Sequence, residues 1–410
     1  MNTSKINEIL QDTAYIRTAG SEEELRCAGY ISQKCSELGL ETRSESFPLK
    51  LSKIHEARLL VDGKEIACKG YFRSGCADIE AELHYLTNTD PISIAGCKGK
   101  IVLLEAPLRG WTYRDILEAG ACGFITFEGH VHFTDSDIDQ KDLREHLQTE
   151  NRIPGVHINV KDAVEIVRSK PAKARIILQQ EEYQGQSQNI ILDLPGEQDE
   201  WIVLTAHYDS TSLSKGAYDN MSGTIVMLSI AEEFAPLPRR RGLRFVWCGS
   251  EEIGLLGSKA YCASHEEDLK KTVLNINLDM IGCLMGKFVT RCIAEEKLVH
   301  YIQYLSAELG VSNEVVQNIS SSDCAVLSDH GVPSVSFFRF APPNTATFHN
   351  RYDTIEVMSA EQLEKDAAFV KAFLKRMVDS EFFPVAREIP ANMKEKLEYY
   401  FFRKRDPALK

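Results

Sequence analysis

The chain has 410 residues and a formal net charge of −13, with 43% hydrophobic and 26% charged residues. That composition is ordinary for a folded, water-soluble protein, and the length points to two domains. The acidic balance argues against nucleic acid as a partner, because a phosphate backbone calls for a basic face.

The N-terminus, MNTSKINEILQDTAYIRTAGSEEE, has no apolar core and no small-residue cleavage site, so no signal peptide is expected. No run approaches the ~18 consecutive apolar residues of a membrane span, so no membrane partner is expected either. Eleven cysteines, an odd number without a Cys-x-x-Cys pair, predict reduced thiols and a cytoplasmic location.

In chain order, residues 21–38 predict a helix. Ser21 and Glu24 have the spacing of a capping box, Leu25, Ala28, Ile31, Cys35 and Leu38 recur every three or four residues, and Gly39 is a stop. From Phe47 to Gly185 short strand-like runs dominate, with Asp62-Gly63 as a hairpin signal. A helix-then-strand unit spans 113–127, and a strand followed by a helix begins at Ile153. This stretch reads as an inserted, mainly β module without a His or acidic cluster at ligand spacing.

From Asn189 the texture becomes α/β. ILDLPGEQDEWIVLTAH predicts two strands around a Pro-Gly turn, and further strands are expected at 243–248, 272–278 and 333–338. Helices are expected at 221–234, around Leu298, Ile302, Leu305 and Leu309, and at 359–377, where Ser359 and Gln362 form a cap pair. Strands alternating with helices imply a largely parallel sheet flanked by helices. Residues 393–410 are charged and aromatic and predict either a docked helix or a loose tail.

Five motifs fall at strand ends or in the loops after them. They are His207-Tyr208-Asp209, Asp219-Asn220 at a helix start, Glu251-Glu252 after LRFVWC, Asp279 after LNINL, and His349 with Tyr352-Asp353-Thr354 behind it. Sites in open parallel sheets form outside the carboxyl ends of the strands. Hydrolytic zinc takes His nitrogen and carboxylate oxygen, and two ions about 3.5–4 Å apart need a shared ligand. Each motif alone has an ordinary alternative: a hydrogen-bonded His-Asp pair, a solvated first helical turn, a cap or a turn. Their joint order at the same side of a sheet is what carries the metal reading.

These motifs resemble those of the M28 family of zinc peptidases, closely over residues 207–354. Residues 48–185 resemble, less closely, a protease-associated (PA) domain, on KIVLLE, EAGACGFITF and IPGVHI. The resemblance implies a zinc-exopeptidase fold, α/β with a mostly parallel mixed sheet, carrying an inserted mainly-β PA-like domain. The expected divisions are 1–47, an N-terminal helical part of the catalytic domain; 48–185, the insert; 186–388, the zinc peptidase domain; and 389–410, a tail.

Carried over residue by residue, the resemblance implies two Zn2+ ions. Asp219 bridges them, His207 and Asp279 complete one site, and Glu252 and His349 complete the other. Glu251 is then the general base, Asp209 orients the His207 ring, and the Asp219-Asn220 bond is cis. The implied activity is that of an aminopeptidase acting on peptides with a free N-terminus, and assembly into a homo-oligomer stays open.

Two departures stand out. Ser322-Asp323-Cys324 occupies the place of the family's frequent Ser-Asp-His, and His349-Asn350 that of His-Thr. Neither touches a ligand position. The alternatives are a carboxypeptidase gripping a terminal carboxylate through Arg339 or Arg351, a one-zinc glutaminyl cyclase, and a non-catalytic binding protein of the transferrin-receptor kind. A serine hydrolase elbow and an HExxH helix are both missing from the sequence.

Overall fold

Four strands from the second half of the chain lie side by side and parallel, in the spatial order Arg241–Cys248, Gln198–His207, Thr272–Leu278, Ser334–Phe340. Their near-continuous apolar sequences are those of strands covered on both faces, and Arg241–Cys248 and Thr272–Leu278 are buried throughout. The sheet is mixed. Lys287–Ile293 runs antiparallel to Ser334–Phe340 and carries Glu314–Gln317 at the edge. Residues 190–194 run antiparallel to Arg241–Cys248 on the other side.

The structure, a computed structural model, describes residues 1–106, 108, 110–343 and 345–406. It divides into two units, one of residues 1–48 and 186–400, the other of residues 49–185 and 401–410.

In the first unit, Ser222–Phe234 is apolar on nearly every side and almost wholly buried, as a helix packed beneath a sheet must be. Ala360–Asp379 and Glu296–Leu309 add their apolar faces to the same core. Ser359 caps the former through the Gln362 N–H at 3.2 Å. The Pro195-Gly196 turn joins strands that are not neighbours, because Arg241–Cys248 lies between them. Gly196 is required there: a Cβ would sit 2.4 Å from the Arg241 carbonyl carbon.

The N-terminus departs from the sequence reading. Thr3–Asp12 is a helix that buries Ile6, Ile9 and Leu10, where none was expected. Glu22–Glu37 is the expected helix, and Ser21 accepts from the Glu24 N–H, but the capping box closes only halfway. The Glu24 carboxylate does not return to Ser21. It accepts from the Gly20 N–H at 2.7 Å and, through its other oxygen, from Ser250.

In the second unit, the parallel strands Ala77–Tyr85, Ile101–Glu105, Gly123–Glu128 and Gly155–Asn159 are flanked by Lys69–Gly70 and by residues 173–178. The helices Gly110–Glu118 and Val160–Ser169 complete this unit's core. Asp62 and Gly63, both at positive φ, form the two-residue hairpin turn that pairs Val61 with Lys64.

The last stretch divides. Ala391–Tyr400 is a helix of the first unit that buries Met393 and Leu397. Residues 401–406 belong to the second unit, where Phe402 stacks on His146 at 4.4 Å and Arg405 pairs with Asp115. Among the described residues no helix is long and apolar enough to cross a membrane, and all eleven cysteines are free thiols.

Candidate metal centre

The four parallel strands end together, and the sequence puts His or a carboxylate just past each end. His207 closes its strand in register with Cys248, which leads directly to Glu251 and Glu252. Asp279 follows Leu278, and its N–H donates to the Phe337 carbonyl of the neighbouring strand at 3.3 Å. His349 arrives on the loop after Phe340. Asp219 comes from the irregular turn Ala217–Met221 that leads into Ser222–Phe234, and its bond to Asn220 is cis.

These five side chains converge into two groups, His207–Asp219–Asp279 and Asp219–Glu252–His349, each with ligand atoms within 4.8 Å of one another. Asp219 belongs to both. One of its oxygens lies 3.0 Å from His207 Nε2 and the other 3.1 Å from His349 Nε2. Asp279 Oδ1 stands 3.7 Å from His207 Nε2, and Glu252 Oε2 3.0 Å from His349 Nε2.

Two observations show that these residues suit a pair of cations. Asp279 Oδ1 and Glu252 Oε1 are buried without a hydrogen-bond partner, which native interiors seldom tolerate unless an ion or water completes them. The donor set of imidazole and carboxylate is also that of hydrolytic zinc.

Surrounding groups fix the cage. Asp209 is fully buried and accepts from the Glu251 and Glu252 N–H groups at 2.9 and 3.1 Å, with an oxygen 3.4 Å from His207 Nδ1. It therefore ties the Glu251-Glu252 loop to the His207 strand. Asp353 accepts from the Tyr218 and Asp219 N–H groups at 2.7 and 3.1 Å. The Asn220 side chain bridges to the Leu278 carbonyl and to the Gly223 and Met280 N–H groups. Asp219 is thus held from both sides.

Electrostatics follow from so many buried charges. Burial disfavours a charged imidazole, yet Glu251, Asp209, Asp219 and Asp279 push His207 well above its ordinary value. Glu252 and Asp219 do the same for His349. Despite burial, His207 and His349 hold Asp219 below the usual carboxylate range. Burial raises Glu251 well above that range, with Glu252, Asp323 and Asp279 adding to the rise and His207 opposing it.

The sequence reading passed over some residues. Asp323 appeared only as part of a departure in the pocket wall. It is fully buried and pushed up to about 6 by burial, against the pull of His207. Asp353 was named only as a neighbour of His349, and Glu24 only as a cap. Of the two arginines considered for a carboxylate grip, Arg339 is committed elsewhere. Its guanidinium pairs with Asp366 at 2.6 and 2.7 Å and donates to the Gly286 carbonyl.

Comparison with known proteins agrees with the geometry. Residues 189–374 match peptidase family M28. Aminopeptidase YwaD of Bacillus subtilis (strain 168) is 34% identical over 211 residues, 49% of this chain and 46% of its own length. Leucine aminopeptidase 2 of Arthroderma otae is 28% identical over 239 residues, 55% of this chain and 47% of its own. The chain thus spans about half the length of these curated relatives.

In fold, it is similar to BSAP, a zinc aminopeptidase from Bacillus subtilis, with a TM-score of 0.77 at 24% identity over 95% of this chain and 97% of the other. An aminopeptidase from Aneurinibacillus sp. strain AM-1 gives 0.75 at 24% identity over 94% and 96%. The segment that carries the two three-residue groups is thus similar to peptidase family M28.

Proposed function

We propose that the protein is a two-zinc aminopeptidase that removes N-terminal residues from peptides. The observation that carries this reading is the pair of three-residue groups joined through Asp219. His207, Asp219 and Asp279 would hold one zinc, and Asp219, Glu252 and His349 the other. Bound zinc would supply Lewis acidity there, making a nearby water more acidic and polarising the scissile carbonyl.

The remaining work falls to side chains. Glu251, next to Glu252 but outside both three-residue groups, accepts the proton of the attacking water and returns it to the leaving amine nitrogen. Asp209 sets the angle of the His207 ring and holds the Glu251-Glu252 backbone in place. The acidic surroundings favour a substrate ammonium over a carboxylate, and the commitment of Arg339 to Asp366 removes one grip that a carboxypeptidase would use. YwaD and BSAP are themselves described as aminopeptidases, which supports the same choice. Residues 48–185 we read as a PA-like insert, on the sequence resemblance alone.

The zinc-loaded protein is expected to hydrolyse aminoacyl anilides with a free α-amine. It should leave amino-blocked and carboxy-terminal substrates intact and lose activity in chelator. Release from the carboxy-terminal substrates instead would replace the aminopeptidase reading with the carboxypeptidase one.

The metal-free protein also has a pH signature. His207 and His349, both raised above 6.5, carry protons at neutral pH that zinc must displace. Their ion pairs stabilise the metal-free fold fully below 6.5, and this contribution is lost as pH rises through the raised folded values. Zinc titration at pH 7 is therefore expected to release protons, seen as a calorimetric heat that changes with the ionisation enthalpy of the buffer. A heat independent of buffer would contradict these protonation states.

A further inference from the structure

Arg17 lies before the family-matched segment, on the loop between Thr3–Asp12 and Glu22–Glu37, and is fully buried. Among the described residues, every hydrogen bond of its guanidinium goes to a main-chain carbonyl. Nη1 donates to Thr13, Tyr15 and Lys215 at 3.2, 3.0 and 2.6 Å, Nη2 donates to Gly216 at 2.7 Å, and Nε donates to Tyr208. The main chain adds two bonds with Ser210, one in each direction, both 3.1 Å.

The carbonyls of Tyr208, Lys215 and Gly216 belong to the loop that connects His207 and Asp209 to Asp219. Gly216 sits at φ +60°, and a Cβ there would lie 2.6 Å from Arg17 Nη2, so the glycine lets the guanidinium reach the loop.

Seven residues on, Glu24 holds the second loop. Its Oε1 accepts from the Ser250 N–H at 2.7 Å and from the Ser250 hydroxyl at 3.0 Å. Ser250 has φ 54°, a left-handed turn that delivers Glu251 and Glu252 to Asp209. A buried guanidinium and a buried carboxylate are expensive to desolvate, and each directs part of its hydrogen bonding to the backbone of a ligand-bearing loop.

We propose that residues 17–24 form a clamp that sets the two metal-binding loops, with Arg17 as a positioning residue for metal retention. This rests on the zinc reading above. Arg17→Lys keeps the charge, but one nitrogen cannot span the carbonyls of Tyr208, Lys215 and Gly216 together.

The test is zinc affinity of the full chain by competition with a chromogenic chelator, at a temperature where every variant is folded by circular dichroism. Arg17→Lys, Arg17→Met and Glu24→Gln are compared with Ile9→Ala, a core truncation that lowers the thermal midpoint without touching these loops. The Arg17 variants are expected to bind zinc roughly 10-fold or more weakly, and Ile9→Ala at wild-type affinity despite its lower midpoint. Should Arg17→Met not fold, Arg17→Lys and Glu24→Gln decide. Wild-type affinity in both, or a loss in Ile9→Ala that tracks its midpoint, overturns the clamp. A wild-type chain that takes up no zinc overturns the zinc reading itself.

Discussion

Glu251→Gln is expected to keep its full zinc complement and to lose about 10²–10⁴-fold in kcat. The side chain is not among the five that form the two cation groups. Its backbone N–H, which bonds Asp209, is untouched by the substitution, so Glu252 stays in place. What disappears is the only group assigned to take the proton from water and hand it to the leaving amine.

The variant also carries a stability signature. Burial and the neighbouring carboxylates Glu252, Asp323 and Asp279 make a charge on Glu251 unfavourable in the metal-free protein. A neutral amide of the same shape relieves that repulsion, so the thermal midpoint of the metal-free variant should equal or exceed that of the wild type. Zinc analysis, steady-state kinetics and a melting curve on one preparation read all three expectations. Near wild-type turnover would remove Glu251 from its role.

Asp219→Ala is expected to empty both sites at once and bring hydrolysis to background. One oxygen of Asp219 faces each group, so truncation takes a ligand from each cation. A ligand of one site alone, such as Asp279, should spare the other. The wild type in zinc at 100 times Kd gains roughly 2.7 kcal/mol per site by linkage, so its melting curve should shift upward on zinc addition and that of Asp219→Ala should not. Two zinc ions still bound per chain in Asp219→Ala would mean that the bridge is placed wrongly.

The convergence of the candidate ligands was legible in the sequence where they follow strong apolar strands directly. LRFVWC leads to Glu251-Glu252 and LNINL to Asp279 within a few residues, and the structure ends those strands side by side. His349 stands on a loop with no periodicity of its own, so only the family resemblance pointed to it.

Glu24 shows why the supporting residues were harder to read. Its spacing from Ser21 fits a local cap, and the Ser21 half of that cap is present, yet its own carboxylate bonds a residue 226 positions away. A pattern of nearest neighbours carries no trace of such a partner. Arg17 is hidden for the same reason, since its carbonyl partners on the 208–216 loop have no side-chain identity to recognise. Asp323 looked like pocket wall because its burial depends on the helix Asp323–Asp329 packing against the strands Thr272–Leu278 and Ser334–Phe340, which composition does not encode.

In the fold, the parallel strands and the helices Ser222–Phe234 and Ala360–Asp379 announce themselves by apolar pattern. The strands Thr42–Val61 and Lys173–Leu194 do so only over their last residues. At 20 and 22 residues they far exceed the usual strand, and long exposed stretches mask their alternation. The helix Thr3–Asp12 offers only three buried residues as a signal.

Anomalous diffraction at the zinc edge from crystals grown with zinc tests the central claim most directly. Two peaks about 3.5–4 Å apart, with Asp219 between them and His207, Asp279, Glu252 and His349 around them, are the predicted result. A single peak, or ions bound away from Asp219, would contradict it.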